Sequence, residues 1–554
     1  MFMENKIQTA DKIINIDQVE NLIITISSRE NIYNVWDIAL GNGHGVYSYR
    51  NQNVDIPIRS KEWKDLCKKM EGRAPLKIVG ITGRGGSGKS SMAYRLFKEM
   101  GEMGWKCKAI KSDCIDKINH EDLISADNIL IIIDYLLPFA DNVGKWIRNL
   151  YRVQDEQLNR AKQNRKNTNI YGVIRIILIE RACVLPDRKP YWYKAIVETY
   201  DLENICDYHQ FVSLEKLSDL DTKCFIKNYM NKKCKNISEK KLDETIKGIV
   251  ISQDCRYPLF ISYMCDALIE DPANNIRNWS RAELLKYIDK IERRRLEGFS
   301  KSPKILKSLE KIVIFSLVID GISLKDKMPC YLREDFKVLM NEWEEIQKIF
   351  CDVGEVDGNM FFKPAMPEIV GEFYCLEFIG RMDNEPGGPQ FVKEFISQAW
   401  CEKPNEFGGF LCRLLEDFHK DDMISILGKM LQMPEGMNTE NKCLYADLLR
   451  EFTYWFKKPQ LCYVKIIDTY EQILNNTDEV DKCHKIKILY ATALFNIIWS
   501  YCEYCDYNAQ TSSEVMTLFD KLQEIFKNCR EKEIMDLCNG ARQKVRQKWN
   551  CIIA

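Results

Sequence analysis

One run constrains this 554-residue chain more than any other: Gly83-Arg84-Gly85-Gly86-Ser87-Gly88-Lys89-Ser90. It satisfies G-x-x-x-x-G-K-[ST] in full. Before it stands Leu76 to Thr82 (LKIVGIT), mostly apolar and of strand length; after it comes a helical pattern from Lys89 to about Met103. Glycine is needed in such a loop because successive backbone N–H groups converge on phosphate oxygens, and side chains would block the approach. The N-terminus of the following helix adds its dipole. In this frame Gly83, Arg84, Gly85, Gly86, Ser87 and Gly88 form the cradle. Lys89 reaches the β and γ phosphates, Ser90 ligates Mg²⁺ and Ser91 bonds the α phosphate. The competing reading, a chance match in a surface loop, lacks the strand and helix that flank this run.

Three further apolar runs follow, at Trp105 to Ile110, Asn128 to Asp134 (NILIIID) and Val173 to Ile179 (VIRIILI), with helical patterns between them. Strands that are apolar throughout and alternate with helices predict a parallel sheet covered on both faces. After about residue 210 the strand signals fade. Helical periodicity runs to about 300, and 301–385 mixes helices with one hairpin signal, Gly354 to Phe362, around Asp357-Gly358. From 386 to 554 the chain is helical without a crisp repeat period. The expected fold is an α/β P-loop NTPase core, a parallel sheet with helices on both faces. An all-α lid, a winged-helix-like module and a C-terminal α-helical array follow. The expected divisions are 1–58, a small extension of adaptor type carrying the cluster Gly41-Asn42-Gly43-His44-Gly45; 59–210, the nucleotide-binding domain; 211–300, the lid; 301–385, the winged-helix-like module; and 386–554, a TPR-like sensor or interaction region. A length of 554 residues accords with several domains of about 150 residues each.

Two strand ends supply the remaining chemistry. Asp134 closes a buried apolar strand downstream of the glycine loop, the Walker B arrangement, and is expected to hold Mg²⁺. Many hydrolytic relatives of such sites place a second acid beside the magnesium acid to polarise water. Here Tyr135, Leu136 and Leu137 follow, and the nearest alternatives are Asp141 and Glu180. Slow hydrolysis, or none, is therefore expected. Glu180-Arg181 ends the fourth run, where an open α/β sheet faces its ligand crevice. Arg181 is read as a γ-phosphate sensor, against the plainer reading of a strand-end salt bridge.

Composition then excludes classes. Lys plus Arg total 80 and Asp plus Glu 81, a net charge of -1, so no global field draws nucleic acid or an acidic membrane. The 22 cysteines are scattered, and the start MFMENKIQTADK has no apolar signal core, which points to reduced thiols in a cytoplasmic protein. No apolar run reaches the length of a membrane span. Cys502-Glu-Tyr-Cys505, with Cys483-His484 upstream, is better read as buried thiols than as zinc ligands. The basic run from Ile291 to Leu296 is read as a solvated helix face, and His44 as a turn residue.

Taken together, GRGGSGKSS, IIIDYL and a strand ending in Arg181 resemble the STAND class of AAA+-related P-loop ATPases, which includes the NACHT and NB-ARC families. Phe211 to Leu220 is similar to the start of that class's helical lid. Arg256-Tyr257-Pro258-Leu259-Phe260 is similar to its G-x-P-L motif, with Arg256 replacing the glycine. The Asp-Tyr after the Walker B strand and the cluster Tyr191-Trp192-Tyr193 resemble a bacterial branch of the class, although its Ala-Glu is replaced by Leu136-Leu137. Pro364 to Phe373 resembles a stretch that such bacterial proteins carry after the lid. The resemblance covers about 70–380. It implies a switch that rests with ADP, exchanges it for ATP with Mg²⁺ and then self-associates. Pro258 would lie near the adenine, and Lys89, Asp134 and Arg181 would be the catalytic set. A trigger bound by the C-terminal helical region and a separate effector protein are the implied partners, in defence or signalling. Two alternatives remain open at this point. One is a DNA-binding transcription regulator of the same class, disfavoured by the net charge and by the acidic tract Asn341-Glu-Trp-Glu-Glu. The other is a P-loop kinase or other phosphotransferase, for which no substrate motif is evident.

Overall fold

The computed structural model describes residues 58–549, apart from internal stretches, chiefly 164–171, 182–190, 324–331, 341–353, 431–436 and 449–462, and shorter breaks between them. The expected N-terminal extension with His44, the tract from Asn341 and the 357–358 turn lie outside the described residues. By internal packing the chain falls into two units. One is drawn from Met1–Lys301 and Glu342–Val370, the other from Ser302–Asn341 and Gly371–Ala554. The stretch 301–385 is thus divided between them.

The first unit is built on a five-stranded sheet in the order β2-β3-β4-β1-β5. Its strands are β1 (Leu76–Gly83), β2 (Lys106–Lys111), β3 (Ile129–Asp134), β4 (Ile174–Glu180) and β5 (Val212–Leu214), and neighbouring strands run parallel. The apolar runs make strands because isoleucine and valine suit a pleated surface, and a strand buried on both faces needs no polar alternation. Strand alternation sorts the sheet into two cores. Val79, Ile81, Leu130, Ile132, Ile177 and Ile179 share one face with Met92, Ala93 and Leu96 of α2 (Lys89–Glu102) and with Leu66 and Met70 of α1 (Ser60–Met70). Ile78, Ile131, Ile133, Ile176 and Leu178 share the other with Trp146 and Ile147 of α3 (Ala140–Gln163). Each buried aliphatic side chain contributes about 1.5–3 kcal/mol of transfer free energy.

Two features were not foreseen from the sequence. β5 is a strand where strand signals had been expected to stop. It has only three residues, with Ser213 exposed between buried Val212 and Leu214, too few to establish a period. It pairs with β1 from Ile81 to Gly83 and so flanks the glycine loop. The second is Arg175, mid-strand yet 1% exposed. Its guanidinium donates to the carbonyls of Met70 (2.7 Å), Gly72 (2.7 Å), Ala74 (2.9 Å) and Ile174 (3.0 Å), tying the α1–β1 turn to β4. That arrangement explains how an arginine sits inside VIRIILI: its donors are absorbed by backbone acceptors.

Four helices follow β5: α4 (Asp219–Lys233), α5 (Glu239–Ile251), α6 (Pro258–Glu270) and α7 (Arg281–Phe299). Within α7, Arg293 faces Glu297 at 3.7 Å and Arg294 is exposed, while Leu296 is buried. The strands Gly354–Val356 and Asn359–Phe362 pair antiparallel, with Val356 opposite Asn359.

The second unit is helical: α8 (Pro303–Val318), α9 (Arg333–Met340), α10 (Glu368–Asp383, whose first three residues belong to the first unit), α11 (Gly388–Glu402), α12 (Pro404–Phe418), α13 (Ile424–Met430), α14 (Tyr463–Asn475), α15 (Val480–Tyr504), α16 (Ala509–Cys529) and α17 (Lys532–Trp549). Ser302-Pro303 starts α8: the Ser302 Oγ accepts from the Ile305 N–H at 3.3 Å, and proline fits the first helical position. Its buried charges are paired. Glu310 accepts from Tyr374 (2.9 Å) and Arg381 (3.0 Å), and Glu372 from Arg413 (3.2 Å). Among the described residues no helix is long and apolar enough to cross a membrane.

Candidate functional site

The C-terminal ends of β1, β3 and β4 converge on residues 83–91. Strand register puts Thr82 beside Glu180 and Ile179 beside Asp134, so the glycine loop, the acid and Arg181 lie along one edge of the sheet. The strand before the glycine loop, β1, and the acid strand, β3, are not neighbours. β4 lies between them.

The loop conformation demands glycine. Gly86 (φ +79) and Gly88 (φ +92) occupy the left-handed region. A Cβ on Gly83 would stand 2.6 Å from the Ser87 Oγ and 2.9 Å from the Leu214 carbonyl. One on Gly86 would meet Leu259 at 3.1 Å, and one on Gly85 would meet Ile369 at 3.1 Å. The Ser87 Oγ is buried and has no hydrogen-bond partner. Lys89 folds back over the loop and donates to the carbonyls of Gly83 (2.8 Å) and Arg84 (3.2 Å). Loss of water lowers its pKa, and the Arg181 guanidinium adds to that; Glu368, Glu180 and Asp134 pull it back up. An ammonium with a depressed pKa among backbone carbonyls gains by meeting an anion.

Ser90 lies one position into α2, and its Oγ donates to Asp134 Oδ2 at 3.1 Å. This bond joins residues 44 apart in sequence and unites the hydroxyl and carboxylate that the motif assigns to one metal. Ser91 is exposed on α2, Arg84 half-buried, and Asp134 half-buried at the end of β3. Alternation along β4 places Arg181 on the α2 face with Asp134, and Glu180 on the α3 face. Arg181 is 3% exposed. Its backbone N–H donates to Glu180 Oε1 at 2.9 Å, and its carbonyl accepts from Trp192 Nε1 at 3.1 Å. Trp192 stacks on Phe211 at 5.7 Å between ring centroids, so the aromatic cluster clamps the end of β4. Arg181 also meets Glu368 at 3.7 Å.

Three segments cover the loop. From α6, the Leu259 N–H donates to the Gly86 carbonyl at 3.3 Å, and Pro258 would meet a Cβ on Gly88 at 3.7 Å. From α10, Ile369 packs on Gly85. The third is Arg59, which sequence reasoning did not single out. It is 3% exposed, and its guanidinium donates to the carbonyls of Ser87 (3.2 Å) and Glu215, with Glu62 at 3.4 Å. Burial lowers its pKa, opposed by Glu62 and Asp221. Asp141, one of the alternative acids, accepts from the Tyr200 hydroxyl at 2.9 Å. Leu136 is fully buried, and Tyr135 and Leu137 lie outside the described residues.

These residues fit a nucleoside polyphosphate with Mg²⁺. Glycines leave room where a Cβ at 83, 85 or 86 would crowd its neighbours, a lysine stands over the loop, and a serine–aspartate pair offers two hard oxygen ligands. Among the described residues no group of three or more His, Cys, Asp and Glu could hold a metal ion. Cys502 is buried and Cys483 and Cys505 are half-buried, all three as free thiols. No protein-family model and no curated protein matches this chain.

Proposed function

We propose that the chain is an ATP-binding regulatory switch of STAND type, alternating between ADP and ATP, self-associating in the ATP state and hydrolysing slowly. The observation that carries this reading is the Ser90–Asp134 hydrogen bond beneath a loop whose glycines at 83, 85 and 86 leave little room for a Cβ. Bound nucleotide with Mg²⁺ supplies a charge-dense phosphate chain and a hard cation. The chain's own residues do the rest. Backbone N–H groups of 84–91 at the start of α2 receive the phosphates. Lys89 exchanges its two carbonyl partners for phosphate oxygens, a charge-assisted bond in place of neutral ones. Ser90 and Asp134 would hold the cation through their hydroxyl and carboxylate oxygens. Arg181 stands on the same face to receive the terminal phosphate. Pro258 and Leu259 hold the lid against the loop.

Slow turnover follows from where the acids are. Asp141 is engaged by Tyr200 and Glu180 by the Arg181 backbone N–H, so each of the alternative acids already has a partner other than water. The winged-helix-like reading of 301–385, a sensor role for the C-terminal helices, a separate effector and a place in bacterial defence or signalling rest on the sequence resemblance. A near-neutral chain favours the switch over a DNA-binding regulator.

Denaturing purified full-length protein and chromatographing what it releases tests the reading. ADP in near-stoichiometric amount, turnover well below one per second and a change in mass on exchange to ATP are expected. Rapid hydrolysis by a constitutive monomer would overturn the switch.

A further inference from the structure

The first two residues of α10 touch the loop and its cations. Ile369, itself 1% exposed, packs on Gly85, and Glu368 sets Oε2 3.7 Å from the Arg181 guanidinium. Glu368 is also the leading carboxylate acting on Lys89, ahead of Glu180 and Asp134. One carboxylate therefore meets Arg181 and acts electrostatically on Lys89, the cations that the nucleotide reading reserves for a terminal phosphate. Arg181 is fixed at the end of β4, at 3% side-chain exposure, whereas the Glu368 side chain is 32% exposed. A carboxylate and a phosphate oxygen are alternative partners for the same guanidinium or ammonium. They repel each other at close range in a poorly hydrated site.

We propose that Glu368 is a specificity-determining residue that sets preference for a nucleoside diphosphate over the triphosphate. Its carboxylate takes the place of the terminal phosphate's charge on Arg181 and Lys89 and must leave both when a triphosphate binds. The proposal rests on the nucleotide reading above. α10 continues from Gly371 as part of the second unit, so a shift of Glu368 is covalently continuous with the helical region. Discrimination of this kind acts by building an unfavourable charge against one ligand, not by improving contacts to the other.

The test is the ratio of Mg·ADP to Mg·ATP dissociation constants, measured on the full-length chain at fixed ionic strength. The wild type is expected to prefer ADP. Glu368→Gln keeps the shape and removes the charge, and should move the ratio toward ATP by about tenfold, within the usual span of coupling between sites. Arg181→Gln in the same chain should cancel most of that gain. Glu368→Asp retains the charge on a shorter arm and should shift the ratio less than Glu368→Gln; it also carries the test if the glutamine variant does not fold. A wild type that prefers ATP would overturn the proposal. So would an unchanged ratio in both variants, an equal weakening of both nucleotides, or a fall in ATP affinity alone. A wild type that binds neither nucleotide overturns the nucleotide reading as well; ADP binding with an unmoved ratio overturns only the role of Glu368.

Discussion

Arg59 stands at φ 58, a left-handed conformation that costs a non-glycine residue about 1–2 kcal/mol. What holds it there is a pair of backbone carbonyls, the buried one of Ser87 and the part-buried one of Glu215, that its guanidinium satisfies. Arg59→Ala leaves the Ser87 acceptor unpaired, so a loss of roughly 1–3 kcal/mol in urea-denaturation stability is expected. Lys89 behaves differently, because its partners are the loop's own carbonyls at a half-buried site. Lys89→Ala should leave the unliganded fold standing and weaken Mg·ADP by about 2–4 kcal/mol, roughly 30- to 700-fold, the usual cost of truncating one partner of a buried charge pair. Its lowered pKa also carries a sign. The unfolded chain keeps the lysine proton up to about its ordinary value of 10.5, while the folded chain releases it earlier. Over that interval the unfolded state binds more protons, so unliganded stability rises with pH. Lys89→Met should flatten that slope in denaturation curves taken between neutral and alkaline pH; an identical slope in the variant would remove Lys89 as its cause. Lys89, Ser90 and Asp134 were legible in the sequence because a loop motif and a strand end mark them. Arg59 was not, since its backbone partners lie 28 and 156 residues away and no local pattern encodes them.

At the scale of elements, four strands were readable as apolar runs because burial on both faces leaves a continuous hydrophobic signature. β5 left none: three residues make no period, and its strand character comes from pairing with β1. The same strand order gives Arg175 its place. A buried guanidinium serving four carbonyls is a brace between the α1–β1 turn and β4, and the sequence showed only a charge inside an apolar run. Arg175→Met should cost about 2–4 kcal/mol, since three carbonyls of 70–74 and one of β4 lose their donor. Hydrogen exchange should localise the loosening to α1 and the turn after it; uniform loosening across the sheet would contradict the brace. Trp192 acts likewise on the end of β4, because its indole holds the Arg181 carbonyl. The contact of segment 256–260 with the loop, the Leu259 to Gly86 hydrogen bond, is a tertiary fact that spacing does not contain.

Across the whole molecule, the near-balance of 80 basic and 81 acidic residues means that assembly is not opposed by net self-repulsion. An ATP-driven increase in mass by light scattering is therefore expected to survive moderate changes in salt, and its suppression at low ionic strength would argue against it. Every described residue assigned to phosphate, cation or loop belongs to the first unit. Everything proposed here depends on the loop binding a nucleotide. Calorimetric titration of the full-length chain, first freed of bound nucleotide, with Mg·ADP, beside Lys89→Ala and Asp134→Ala, is the direct measurement. Saturable one-to-one binding by the wild type, binding weakened roughly 30-fold or more in Lys89→Ala and loss of magnesium dependence in Asp134→Ala are predicted. A folded wild type that takes up no nucleotide, or a Lys89→Ala variant that binds as tightly, would contradict the nucleotide reading.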